Sequence, residues 1–226
     1  MTGSAGPVEN TATLVSGAAL FNGAGRLGVT LSHEQVEALQ RLTAELLRWN
    51  KAYNLTSISD PALILTHHLL DSLSAHPELA GTMVADVGTG AGFPGLPLAI
   101  ANPQRRFTLI DAVDKKLRFI DHVARELNLA NVTTRHSRVE QITDGKTFDT
   151  VLTRAFAPLP RLLSWIVPLC GPDTKVVAMK GRWPPTPGSD EVGPYPPGWQ
   201  LEVARRVDVP GLDAERHLLV LHYRGN

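Results

Sequence analysis

The chain of 226 residues carries one cysteine, Cys170, so an internal disulfide and a cysteine-built metal site are both excluded. It has no excess of charge, with 22 Lys and Arg against 22 Asp and Glu. That balance argues against a surface coated for nucleic-acid binding and leaves room only for a local patch. No stretch approaches the ~20 apolar residues of a membrane-spanning helix. The segment Leu14 to Phe21 is short, weakly apolar and lacks a basic lead, so no secretory signal is expected. These absences point to a reduced, cytoplasmic setting with no membrane partner. What is present is core: 43% of the residues are hydrophobic, enough to exclude general disorder. At roughly 150 residues per domain, one domain with a short appendage is expected.

Six glycines, one aromatic and two charges among residues 1–29 predict a flexible tail. Ser32 followed by Gln35 forms a capping-box pattern, and Val36, Leu39, Leu42, Leu46, Leu47 and Trp49 follow at helical spacing. Asp60-Pro61 supplies an N-cap and an N1 proline for a second helix running to about His76. Residues 30–78 are therefore expected to form a helical extension, and residues 79–226 the main domain.

In that domain apolar strands centred on Met83–Val87, Phe107–Ile110, Val132–Thr134, Phe148–Leu152 and Lys175–Met179 are separated by helices. The helices cover Pro94–Ala101, Asp114–Asn128 and Leu159–Leu169. The alternation predicts an α/β fold with a doubly wound, mostly parallel sheet. Two closing strands, from Trp199 and from Leu218, complete seven. The last is antiparallel, because too few residues separate the pair for a helical crossover. Residues 181–198 hold six prolines and four glycines and form a loop.

The stretch Asp86-Val87-Gly88-Thr89-Gly90-Ala91-Gly92-Phe93-Pro94-Gly95 ends the first strand with an acid and three alternating glycines. Glycines at a strand end let the backbone pass close beneath a ligand. Open α/β sheets bind ligands at this carboxyl edge. Gly90-x-Gly92-x-x-Gly95 with Asp111 also satisfies a dinucleotide fingerprint, but its register starts four residues after the acid. The Asp-x-Gly-x-Gly-x-Gly pattern resembles the first motif of the Rossmann-like S-adenosylmethionine (SAM) methyltransferases. In that family the strand-one acid sits near the methionine end, where Asp86 suits an ammonium and a sulfonium better than a pyrophosphate. Asp111 would accept from the ribose hydroxyls with either cofactor.

A narrower resemblance runs through Tyr53-Asn54-Leu55-Thr56, His68-Leu69-Leu70-Asp71-Ser72-Leu73, Asp86–Pro97, Ser137-Arg138-Val139-Glu140, Thr153-Arg154-Ala155-Phe156 and Met179-Lys180-Gly181. In this order the blocks resemble the glucose-inhibited division protein B family, bacterial methyltransferases acting on guanine N7 in 16S ribosomal RNA of the small subunit. The likeness covers about residues 33–181. It implies that Gly88, Gly90 and Phe93 line the SAM pocket and that Val139 and Glu140 flank the adenine. It further implies that Arg154 reaches SAM or the target base and that Lys180 stands at the RNA-facing rim. Asn54, His68 and Asp71 would lie over the pocket toward the substrate. The chain departs from the family in Asp111-Ala112-Val113-Asp114, in its longer N-terminal segment and in the proline-rich stretch from Trp183 to Trp199.

The residues agree with N7 chemistry by what they omit. N7 carries an in-plane lone pair and no proton, so no general base is needed, only in-line approach and exclusion of water. Exocyclic-amine methylases follow strand four with an Asn/Asp-Pro-Pro-aromatic run, where this chain has Thr153-Arg154-Ala155-Phe156. Cys170, between a helix and a strand, reads as a packing residue and not a ring-activating nucleophile. His67, His68 and Asp71 share a helical face only in part and nothing at matching positions completes a ligand set, so no metal is expected. RNA contact calls for basic groups, and Arg105 to Arg138 hold eight against four acids. Lys115, Lys116, Arg118 and Arg125 share one helix face, and Trp183, Tyr195 and Trp199 are candidates equally for stacking on bases and for packing the loop down. The alternatives are a methyltransferase for a small molecule or protein, an NAD-dependent oxidoreductase, and a non-catalytic ribosome-binding module. The sequence has no Tyr-x-x-x-Lys proton donor for the second of these.

Overall fold

The computed structural model describes residues 15–191 and 193–225. Helix α1 (Gly17–Arg26) is N-capped by the Ser16 hydroxyl, which accepts from Ala19 N at 3.3 Å. Helix α2 (His33–Tyr53) begins with the expected capping box: Ser32 Oγ accepts from Gln35 N at 3.2 Å and Gln35 Oε1 from Ser32 N at 2.8 Å. Both orphan amides are thereby satisfied.

The expectation of a flexible tail over residues 1–29 fails for its second half. Val15, Leu20, Ala24 and Val29 are buried in the main core, and Gly23 lets α1 lie against Leu70, whose side chain a Cβ there would meet at 2.6 Å. At Gly23 a glycine that reads as flexibility gives close helix packing instead. Residues 1–14 of the expected tail lie outside the described residues.

The expected second helix is interrupted. Helix α3 (Pro61–Ile64) is capped by Asp60 and passes into a wide π-helical turn (Leu65–Leu70), then α4 (Asp71–Leu73). Such wide turns re-aim side chains and backbone carbonyls. Here the turn carries His67 and His68.

Strands β1 (Met83–Val87), β2 (Arg106–Asp111), β3 (Val132–His136), β4 (Phe148–Arg154), β5 (Cys170–Lys180), β6 (Trp199–Arg206) and β7 (His217–Tyr223) form one sheet in the order β3-β2-β1-β4-β5-β7-β6. The first five are parallel, and β7 runs antiparallel to both β5 and β6, as the short connection dictates. Successive residues face opposite layers. Leu109, Leu152 and Val177 join the core beneath α5 (Gly95–Ala101) and α6 (Asp114–Glu126). Ile110, Val151 and Val176 join the core beneath α7 (Leu159–Ile166). The N-terminal helices ride on the α5–α6 layer, and residues 54–71 reach the carboxyl edge between β1 and β4, where the strand order reverses. Ligands bind α/β sheets at that switch point. Among the described residues no helix is long and apolar enough to cross a membrane.

Candidate active site

The floor of the site is the glycine loop. Asp86, fully buried at the end of β1, accepts through Oδ2 from Thr89 Oγ1 at 2.6 Å and from Gly95 N at 2.8 Å. A Cβ on Gly95 would meet that oxygen at 2.7 Å and Leu109 at 2.8 Å, so glycine is needed there for the carboxylate to fit. Asp86 Oδ1 is buried and has no hydrogen-bond partner among the described residues. Burial pushes this carboxyl up to about 6, against the Thr89 and Gly95 hydrogen bonds and the Arg154 charge. Gly88 turns with φ +68°, a conformation open to glycine. Asp111, ending β2, pins the loop by accepting from Gly90 N, and holds its own turn by accepting from Val113 N, both at 2.9 Å.

Two cavities meet above this floor. The larger, about 450 Å³, is lined by the loop from Gly88 to Phe93, by Leu55, Thr56, His67, His68 and Asp71, and by Arg154, Met179, Lys180 and Arg216. The smaller, about 270 Å³, is lined by Ile110, Asp111, Ser137, Val139, Glu140, Phe156 and Trp165. Gly88 belongs to both.

The wall of the larger cavity is a network of charge and aromatic stacking. Asp71, with 2% of its side chain exposed, is held between Arg154 Nη1 at 3.0 Å and Arg216 Nε at 2.9 Å. Arg154 Nη1 also donates to the His67 carbonyl at 2.9 Å, in the wide turn. The His68 ring stacks on Phe93 at 4.8 Å, and the Arg154 guanidinium lies over the same Phe93 ring, 5.9 Å from its centroid. His68 Nδ1 lies 3.2 Å from the His67 carbonyl, which only accepts, so Nδ1 carries the proton. Nε2 therefore accepts from Thr56 Oγ1 at 2.9 Å, while that hydroxyl accepts from Ile58 N at 3.1 Å.

Burial, and then the Arg154 charge, push His68 down to about 4. Between pH 6.5 and 4 the unfolded chain gains a proton here that the folded chain lacks, so this contribution to stability falls as the pH drops through that window. Asp86 acts in the opposite sense. Its folded-state value lies above the usual 3.8, so its contribution falls as the pH rises from about 4 to 6. The His68 imidazole is expected to stay neutral at pH 6 in a nitrogen-detected NMR titration, and a midpoint near 6.5 would contradict its placement in this stack.

The structure brings Gly88, Gly90, Phe93, Arg154, His68, Asp71 and Lys180 to the larger cavity. It brings Asp111, Val139 and Glu140 to the smaller one, and sets Asp86 beneath the loop. Asn54 is exposed, caps α2 at φ +49°, and lines neither cavity. Helix termination needs a left-handed residue there, and its neighbours Leu55 and Thr56 take the cavity positions. Lys180 is also bound differently from a free rim cation. It pairs with both oxygens of Glu191 at 2.6 and 2.8 Å, and Glu191 Oε2 accepts from Leu159 N at 3.0 Å at the start of α7. The proline-rich loop is thus tied to the cleft rim.

Trp183 and Tyr195 turn inward onto the α7-side core, and Trp199 is buried against Tyr223. Trp199 packs the loop down, while Trp183 and Tyr195 also line a cavity among the loop's prolines. On α6, Lys115 donates to the Tyr53 carbonyl at 3.2 Å and Arg118 pairs with Asp114 at 2.7 Å, so part of the basic face serves the fold. Sequence reasoning missed Arg216, Thr56 and Glu191. No local motif marks Arg216 or Glu191, and Thr56 is marked only by its place at the end of Tyr53-Asn54-Leu55-Thr56. Among the described residues no group of three or more His, Cys, Asp or Glu gathers as a metal site.

The residues fit a SAM-like molecule. A buried carboxylate with a free oxygen lies under one lobe, an apolar and aromatic slot with an acid at its edge forms the other, and a glycine floor joins them. A comparison of solved structures places the fold with a SAM-dependent methyltransferase from Aquifex aeolicus (TM-score 0.54, 18% identity, 75% of this chain and 97% of that one). The chain is 44% identical over 196 residues to the ribosomal RNA small subunit methyltransferase G of Idiomarina loihiensis, covering 87% of this chain and 93% of that protein. It is 44% identical over 204 residues to the protein of the same name from Stutzerimonas stutzeri, at 89% and 93% coverage. The family model described as rRNA small subunit methyltransferase G (GidB) matches residues 35–219, and the chain belongs to that family.

Proposed function

We infer that this chain transfers the methyl group of SAM to N7 of a guanine in the 16S RNA of the small ribosomal subunit. The observation that carries this reading is the junction of the two cavities at Gly88, with the unpartnered Asp86 oxygen beneath one lobe and Arg154 and Arg216 in its wall. Val139, Glu140 and Ile110 would hold the adenine, Asp111 the ribose, and Asp86 the methionine end through the glycine loop. Asp111 spends one lone pair per oxygen on Gly90 and Val113, which leaves capacity for ribose hydroxyls.

Bound SAM supplies a methyl group on a sulfonium. The chain's own residues bind, orient and exclude water. His68 is neutral and both its ring nitrogens are committed, so it acts as a wall and takes no proton. Guanine N7 offers none to take. Arg154 uses Nη1 on Asp71 and His67, and its Nε and Nη2 donors are available to the O6 edge of a guanine. Arg216, sharing Asp71, adds a second positive group to the same wall.

Arg154→Ala is expected to cut methyl transfer by well over tenfold, on the scale of a lost charged hydrogen bond of ~1.5–3 kcal/mol. Transfer from labelled SAM to small subunits measures it. A near-normal rate would show that Arg154 does not face the reacting groups.

A further inference from the structure

The two cavities share Gly88 alone, and the chain passes from the lining of the larger to that of the smaller between Ala155 and Phe156. The Phe156 ring is seated on Gly88: a Cβ built on that glycine would run into ring atoms Cδ2, Cγ and Cε2. The ring thus stands where, among the described residues, the linings of the two lobes meet. It is 38% exposed and belongs to neither core cluster, with Trp165 meeting it edge-on at 6.1 Å and 64°. Behind it Ala155 holds φ +48°, the left-handed region that a non-glycine residue adopts only under constraint. Either side of this dipeptide is pinned, Arg154 by Asp71 and His67, and the Ala157 carbonyl by Lys180 at 3.2 Å. A strained two-residue flap carrying one exposed aromatic ring lies between two fixed points.

We propose that Phe156 gates the cofactor cleft: its ring, seated on Gly88, closes the path between the two cavities and must swing off before a nucleoside–amino-acid cofactor spans them. The proposal rests on the cofactor reading above. With the nucleoside in the smaller cavity and the amino acid in the larger, the sulfur between them crosses Gly88, where the ring now lies. Binding is then limited by the fraction of molecules with the ring displaced, and the apparent affinity is reduced by that fraction. A ligand that fits within one cavity escapes the limit.

The test compares SAM with adenosine on the full-length protein and on Phe156→Ala, by calorimetry and stopped-flow tryptophan fluorescence. Removing the ring is expected to tighten SAM binding about threefold or more through faster association, whereas adenosine, whose own cavity the ring also lines, is expected to bind no tighter and to associate no faster. SAM is expected to change the tryptophan signal of the parent protein, and Trp165→Phe to abolish that change. SAM binding that is unchanged or weaker in Phe156→Ala overturns the gate and makes the ring a fixed wall. A parent protein that binds neither SAM nor adenosine overturns the cofactor reading and the gate with it.

Discussion

Gly88→Val is expected to abolish measurable SAM binding, a loss of at least a hundredfold, while leaving the chain folded. Two costs combine at this position. The backbone stands at φ +68°, where a β-branched residue is disfavoured by ~1–2 kcal/mol. Any side chain there also drives into the Phe156 ring and fills the junction between the cavities. The first cost falls on stability and should lower the melting temperature by a few degrees in a chain of this length. The second falls on the cofactor, and a hundredfold loss corresponds to ~2.7 kcal/mol. Calorimetric titration with SAM, beside a circular-dichroism melt, separates the two. Unchanged affinity would remove the glycine loop from the binding site.

Asp71→Ala is expected to be the most destabilising single change at the site. The carboxylate is 2% exposed and both its oxygens are taken by guanidinium groups. Removing one member of a buried ion network costs ~3–5 kcal/mol, because the partners keep their charge without compensation. The two arginines retain about a fifth of their side-chain exposure, so water offsets part of that and about 2–4 kcal/mol is expected. The melting temperature should fall by roughly 5–15 °C. Methyl transfer should fall more than tenfold even below the new melting point, since Arg154 is left with the single hydrogen bond to the His67 carbonyl and the Phe93 face to aim it. Arg216→Ala alone should cost less, because Asp71 retains Arg154. A melting temperature within two degrees of the parent after Asp71→Ala would contradict the network.

The sheet was legible because its strands are short apolar runs bounded by breakers, with periods that separate them from α6 and α7. The late antiparallel strand followed from connection length alone. The N-terminal residues were misread because composition reports glycine content and not what a glycine touches: Gly23 is where Leu70 meets α1. The turn at Leu65–Leu70 was hidden for a different reason. Its sequence is helical by pattern, and the widening shows in the structure where the His67 carbonyl meets Arg154, 87 positions away.

At the site, the residues carried by a contiguous motif fall together: Gly88, Gly90, Asp111, Val139 and Glu140 line the two cavities and Asp86 lies beneath the loop. Those set by tertiary contact were missed or misplaced. Arg216 reaches the cleft from the β6–β7 connection, and Glu191 from a loop whose composition shows only that it is irregular. Asn54 shared a block with Thr56, and only the helix end at Tyr53 decides which of them faces the cavity.

The most direct test is methyl transfer from labelled SAM to small ribosomal subunits that lack N7-methylguanine, followed by chemical cleavage of the RNA at the modified base. The account predicts label in 16S RNA and one cleavage site. Bound SAM with no label in the RNA, or label without cleavage, would contradict guanine N7 as the acceptor.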